Sequence, residues 1–188
     1  MQEADVQEHI EMAELGMDHA LEHLQKELVH VSAGKASPVM LDGLMVDYYG
    51  TPTPVKQVAN ISTADARSLV IQPWEKSMLS AIERAIFEAN LGFTPMNDGE
   101  VVRINIPHMT EERRKDLVKK VKQYGEDAKV SVRSARHKAM DGIKKAVKDG
   151  YPEDAGKRRE EEINNMTQKF YTKIDEIVKV KETDIMTV

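Results

Sequence analysis

The chain has 188 residues, enough for one ordinary domain or two small ones, and 40% hydrophobic with 31% charged residues lets it bury a core. It contains no cysteine, which excludes disulfides, thiol nucleophiles and Cys-based zinc sites, and no stretch approaches the ~20 apolar residues of a membrane span. The net charge of -5 is unevenly spread: residues 1–34 carry eight acids and one lysine, whereas thirteen Lys/Arg stand against four acids between Arg113 and Lys148.

The polar, acidic N-terminus is neither a secretory signal nor an Arg-rich transit peptide, so a soluble cytoplasmic protein is the expectation. From about Val6 to Val31, Ile10, Met17, Leu21, Leu24, Leu28 and Val31 recur at helical spacing and form one apolar stripe. This helix is predicted to end near Gly34, the first residue suited to a left-handed terminal turn. A second helix starts at Thr110-Glu-Glu, where a hydroxyl cap and two carboxylates suit the positive end of the dipole. Its stripe runs Leu117, Val121, Tyr124, Ala128, Val132, Ala135, Ala139, Ile143 and Ala146, and Gly150-Tyr-Pro152 ends it. The third helix carries Ile163, Met166, Phe170, Ile174 and Ile177. Gly125 and Gly142 inside the second helix each cost up to ~1 kcal/mol relative to Ala, which tertiary packing must offset. Three such stripes predict a three-helix bundle.

The segment between these helices has a different pattern. Leu44 to Tyr49 and Val55 to Ile61 read as strands, separated by Gly50-Thr-Pro-Thr-Pro54, a turn or strand edge because Pro52 and Pro54 donate no ladder hydrogen bond. Leu69 to Gln72 is a third strand. Glu75 to Asn90 is a helix with Met78, Leu79, Ile82, Ile86 and Ala89 inward, closed by Leu91-Gly92. Asn97-Asp98-Gly99 is a turn before a last strand, Val101 to Ile106. The expected class is α+β: an elongated three-helix bundle from residues 1–34 and 109–188, with a small α/β domain, residues 35–108, inserted into it. Two crossings join them, around Ala33, Gly34 and Lys35 and around Ile106, Pro107 and His108, and make a double hinge.

At 100° per residue, Lys115, Lys122, Lys129, Arg133 and Arg136 fall within about 60° of one another, beside the apolar stripe of the second helix. Such a cationic ridge suits a phosphate-tracking surface, and Arg133 with Arg136 forms its densest part. No aromatic residues are interleaved, so structured RNA read by backbone and shape fits better than stacked single strands. The alternative is internal neutralisation, in which acidic helices pair with the basic one and no RNA is bound. His19, His23 and His30 share one face of the first helix near Glu27, and an i, i+4 histidine pair has metal-ligand spacing. That face lies away from the apolar stripe, so solvated surface and no metal is the expectation. Trp74, the single tryptophan, is expected in the core beside Pro73. No Gly-rich phosphate loop, H-E-x-x-H or G-x-S-x-G occurs, and Ser37 before Pro38 reads as turn chemistry, so neither an enzyme nor a cofactor is predicted.

Several blocks together resemble one family. G-K-A-S-P at 34–38, L-D-G at 41–43, V-D-Y-Y-G-T-P-T-P at 46–54, N-L-G-F at 90–93, N-I-P at 105–107, T-E-E-R-R-K-D-L at 110–117 and V-R-x-x-R at 132–136 occur in order. This arrangement is similar to the ribosome recycling factors, nearly end to end. The resemblance implies an L-shaped, two-domain translation factor that binds the post-termination ribosome on large-subunit ribosomal RNA. With elongation factor G as partner, such a factor promotes subunit dissociation. It further implies that Arg133 and Arg136 contact RNA and that Gly34 and Lys35 form the first hinge, in a chain expected to act as a monomer. The chain departs from the family pattern at Ser32, where an arginine is usual, at His108, where a proline is usual, and at His137-Lys138. The first departure implies a weaker RNA contact, the second a looser hinge.

Overall fold

The computed structural model describes residues 2–31 and 34–187. They fall into two compact units: the residues up to Val31 together with those from Arg114 onward, and the residues between, ending at Arg113. The sequence placed these boundaries at 34/35 and 108/109. The first turn of a long helix, from Glu111 to Arg113, groups with the inserted unit, so the boundary falls inside continuous helix.

Three helices build the first unit: α1 (Gln2–Val29), α3 (Glu111–Lys148) and α4 (Glu153–Met186). At 1.5 Å per residue, the 38 residues of α3 make a rod of about 57 Å. The predicted stripes face inward: Ile10, Met17 and Leu24 of α1, Val121, Val132 and Ile143 of α3, and Ile163 and Ile174 of α4 are buried. Burying a side chain of this size contributes roughly 1.5–3 kcal/mol each, which a lone helix cannot collect. Thr110 caps α3, its Oγ1 accepting from Arg113 N at 3.1 Å. Gly150, with φ of 105°, ends it, and the Tyr151 N–H returns to the Ala146 carbonyl at 2.9 Å. Helix α1 stops earlier than the Gly34 limit, because His30 and Val31 bond back to Glu27 and Leu28 in a tightened last turn.

The interior glycines of α3 are points of close approach. A Cβ at Gly125 would lie 2.7 Å from Val178 Cγ2 of α4, and one at Gly142 would lie 2.6 Å from the His9 ring of α1. These positions trade helix propensity for contact between rods.

The inserted unit holds a hairpin, β1 (Met45–Tyr48) with β2 (Thr51–Pro54), and a four-stranded antiparallel sheet in the order β3-β4-β6-β5. Its strands are β3 (Ala59–Asp65), β4 (Ser68–Pro73), β5 (Pro95–Asn97) and β6 (Val102–Asn105). Helix α2 (Leu79–Ala89) packs on β1, β5 and β6, closing a core around Val46, Leu69, Ile71, Ile82, Ile86 and Ile104.

Here the structure corrects several expectations. Of the two readings of the Thr-Pro-Thr-Pro segment the strand edge holds: it is β2, in register with β1 from Met45↔Pro54 to Tyr48↔Thr51. Its prolines are tolerated because they alternate on a strand with one partner, so their missing donors face outward. Tyr49 and Gly50, at φ of 49° and 86°, make the tight turn between the strands. Val55–Gln57 is a short 3-10 turn rather than the start of a strand, and β5 was not foreseen. Asn90, at φ 48°, caps α2 before Leu91-Gly92, and Ala89 is exposed. Trp74 is 68% exposed, not in the core. Leu69, Ile71 and Pro73 point inward along β4, and the alternation of the strand continues one residue further to turn Trp74 out.

Candidate nucleic-acid interface

The five ridge residues lie on α3, but they do not behave as one row. Measured from Val132, which is fully buried, helix geometry places Arg136 at about 40° and Lys129 at about 60° towards α4. Lys122, Lys115 and Arg133 follow at about 80–100°. The two nearest the core edge reach across to α4. Lys129 Nζ sits 2.6 Å from Asp175 and 4.0 Å from Glu126, lies 5.9 Å from the Tyr171 ring, and is only 23% exposed. The hydrogen bond to Asp175 raises its pKa above the ordinary lysine value. Arg136, half-buried, donates from Nε to Asn164 Oδ1 at 2.9 Å. Lys115, Lys122 and Arg133 are exposed.

Where the acids of α1 sit explains why the outer row survives. The α3 residues packed on α1 are Ala135, whose Cβ would meet one on Gly16 at 3.2 Å, and Gly142 beneath His9. Both lie about 60–80° from Val132 in the opposite direction, away from α4. The acidic helix therefore flanks the far side of α3. On the near side, α4 presents the uncharged Asn164 to Arg136 and the carboxylate of Asp175 to Lys129. Internal neutralisation operates at Lys129, whose partner is a carboxylate, and not at Arg136, whose partner is an amide.

The same face holds two cations that the sequence reading missed. Lys119 and Lys144 lie at about 140° and 120° and are exposed. The helical wheel contained them, but a window limited to about 60° left them out.

The other candidates are placed as follows. Ser32 and Ala33 lie outside the described residues. Gly34 has φ of 76°, and a Cβ on it would meet Met109 Cε at 3.0 Å. Ile106 is buried and its N–H donates to the Arg67 carbonyl at 2.7 Å, while Ala36 N donates to Ala66 O at 2.8 Å. Both crossing segments are thus tied to the β3–β4 turn, and Pro107 and His108 are exposed beyond it. His19 and His23 line a groove between α1 and α3 with Tyr124 and Asp127, and His23 Nδ1 stands 3.7 Å from Glu27. Among the described residues no three His, Asp or Glu side chains converge as a metal set, and no helix is long and apolar enough to cross a membrane.

Known proteins resemble this chain over nearly its whole length. The family model described as ribosome recycling factor matches residues 24–186. The ribosome-recycling factor of Porphyromonas gingivalis is 51% identical over 98% of this chain and 100% of its own length. That of Christiangramia forsetii is 54% identical, covering 95% and 96%. Among solved structures, a solution structure of ribosome recycling factor superposes with a TM-score of 0.85 at 34% identity, covering 98% of each chain. A second has a TM-score of 0.67 at 40% identity and covers 97% of this chain and 99% of that one. It belongs to models for the T. thermophilus ribosome recycling factor and E. coli elongation factor G bound to the E. coli post-termination complex. An α+β chain with a helical bundle, an inserted small sheet domain and these relatives belongs to the ribosome recycling factor family.

Proposed function

We infer that this chain binds the post-termination ribosome and, with elongation factor G, promotes subunit dissociation and recycling. It does so as a non-enzymatic factor. The bundle lays the outer face of α3 on large-subunit ribosomal RNA, with Arg133 and Arg136 at the centre and Lys115 and Lys122 extending the contact. Lys129 contributes less, because Asp175 already holds its charge. The crossings at Gly34–Lys35 and Pro107–His108 act as the double hinge through which the inserted domain follows its partner.

One observation carries this reading: a basic face on the side of α3 away from acidic α1, with Arg136 held by the uncharged Asn164 of α4, in a chain of this family. The competing reading, a helical protein with internally paired charges, is favoured by the Lys129–Asp175 pair and by Arg159 of α4 against Glu3 of α1. The test is sedimentation with purified large ribosomal subunits. Wild type should co-sediment and weaken steeply with salt, and Arg136→Glu should lose binding while its circular dichroism is unchanged. Undiminished binding by Arg136→Glu overturns the assigned face.

A further inference from the structure

We propose that Asn164 is a positioning residue for the RNA contact, presenting the Arg136 guanidinium without neutralising it. The proposal rests on the assignment of the α3 face to RNA.

The geometry is specific. Arg136 Nε carries a single hydrogen, and that hydrogen is given to Asn164 Oδ1 at 2.9 Å. The bond uses the inner edge of the guanidinium. Its two terminal nitrogens have no partner among the described residues. Four N–H groups in the planar fork therefore remain for a phosphate, in the arrangement that makes bidentate contact possible. Arginine also loses considerable side-chain freedom when it is pinned, and here α4 bears that cost before RNA arrives.

What matters is that the acceptor is an amide. Three turns further along α4 stands Asp175 instead, and the cation opposite is drawn into an ion pair at 2.6 Å. A carboxylate at 164 would orient Arg136 equally well but would cancel the charge that a phosphate needs. A small apolar residue would leave the charge and lose the orientation. Asparagine supplies the acceptor and no charge. Glu160, one turn away on α4, makes no ion pair with Arg136 among the described residues, so no other carboxylate serves in its place. Asn164 is itself exposed, so its replacement leaves the core intact.

The test is co-sedimentation with purified large ribosomal subunits, using full-length protein and salt from about 0.05 to 0.2 M. Asn164→Asp should bind about eightfold more weakly at 0.1 M salt, with the slope of log K against log salt shallower by about 0.9, the signature of one lost phosphate contact. Asn164→Ala should weaken binding with the wild-type slope, because the charge remains, and Asn164→Gln should recover affinity. Circular dichroism and urea midpoints verify the fold of each variant. If Asn164→Asp matches wild type in both affinity and slope, or Asn164→Asp and Asn164→Ala are indistinguishable, the proposal is overturned. Arg136→Glu separates the two levels: wild-type binding by that variant defeats the RNA-face assignment itself. Loss of binding there, with Asn164→Asp unaffected, defeats only the role of Asn164.

Discussion

Replacing Asp175 with asparagine should convert a silent lysine into an RNA contact. In the native bundle Lys129 is held 2.6 Å from Asp175, with Glu126 at 4.0 Å, so a phosphate arriving at this point meets a nearly neutral pair. Asp175→Asn removes the principal partner and preserves its shape. Lys129 lies four residues from Arg133, about 6 Å along the axis, close to the spacing of successive phosphates. Its nitrogen can then join the row. One added phosphate contact steepens the salt slope by about 0.9, which amounts to about eightfold tighter binding at 0.1 M salt. The cost to the fold is small. Asp175 is 65% exposed, and a pair of this kind contributes about 0–1 kcal/mol.

The assay is salt-dependent co-sedimentation with large subunits, run as a double-mutant cycle with Lys129→Ala. The gain should appear in Asp175→Asn and vanish in the double variant. Unchanged slope and affinity in Asp175→Asn would show that Lys129 is out of reach of phosphate, and the contact would then pass over that position. Weaker binding would show that the ion pair is itself part of the contact, which contradicts the reasoning.

Three further outcomes follow from the packing and the charges. Glu3 accepts from the Tyr151 hydroxyl at 2.6 Å and pairs with Arg159, which together hold its carboxyl below the ordinary range. Its stabilising contribution should be complete above the usual glutamate pKa of about 4.3 and be lost as pH falls through the lower folded value; Glu3→Gln should remove that acid dependence from thermal unfolding, and an unchanged acid limb counts against the link. Gly125→Ala should destabilise by about 1–2 kcal/mol, since its Cβ would press on the stiff Val178 at 2.7 Å and overpacking outweighs the propensity gain. Gly142→Ala should be neutral or up to ~1 kcal/mol stabilising, because the exposed His9 ring can swing aside; urea midpoints in the reverse order would refute this. Trp74 should emit as a hydrated indole and be readily quenched by acrylamide, and Trp74→Ala should change stability by no more than about 0.5 kcal/mol.

The helices were legible because their apolar residues repeat at one period over many turns, and each stripe found in the sequence faces the core. The inserted unit was harder, because strands of three or four residues carry little periodic signal. Thr51–Pro54 reads by composition as a turn or a strand edge, and only the register with β1 decides for the strand and shows that its prolines face away from the partner. Trp74 was misplaced for a related reason. Aromatic size argues for burial, whereas the alternation from Leu69 through Pro73 argues for exposure, and in a strand end the geometry of the pleat decides.

The ridge shows where reading a single helix stops. A wheel gives the angle of each cation around α3 but not what stands opposite. Lys129 and Arg136 occupy nearly the same sector, and both reach α4. One meets Asp175 and the other Asn164, and this difference in a neighbouring helix gives two similar cations different chemistry. Pairing residues 129 with 175 and 136 with 164 requires the antiparallel register of the two rods, which the interior contact of Gly125 with Val178 helps to fix. A glycine in the core contact therefore bears on which surface charges stay available. A one-turn slip between α3 and α4 would bring a different α4 side chain opposite each of these cations and redraw the proposed interface without altering a residue on it.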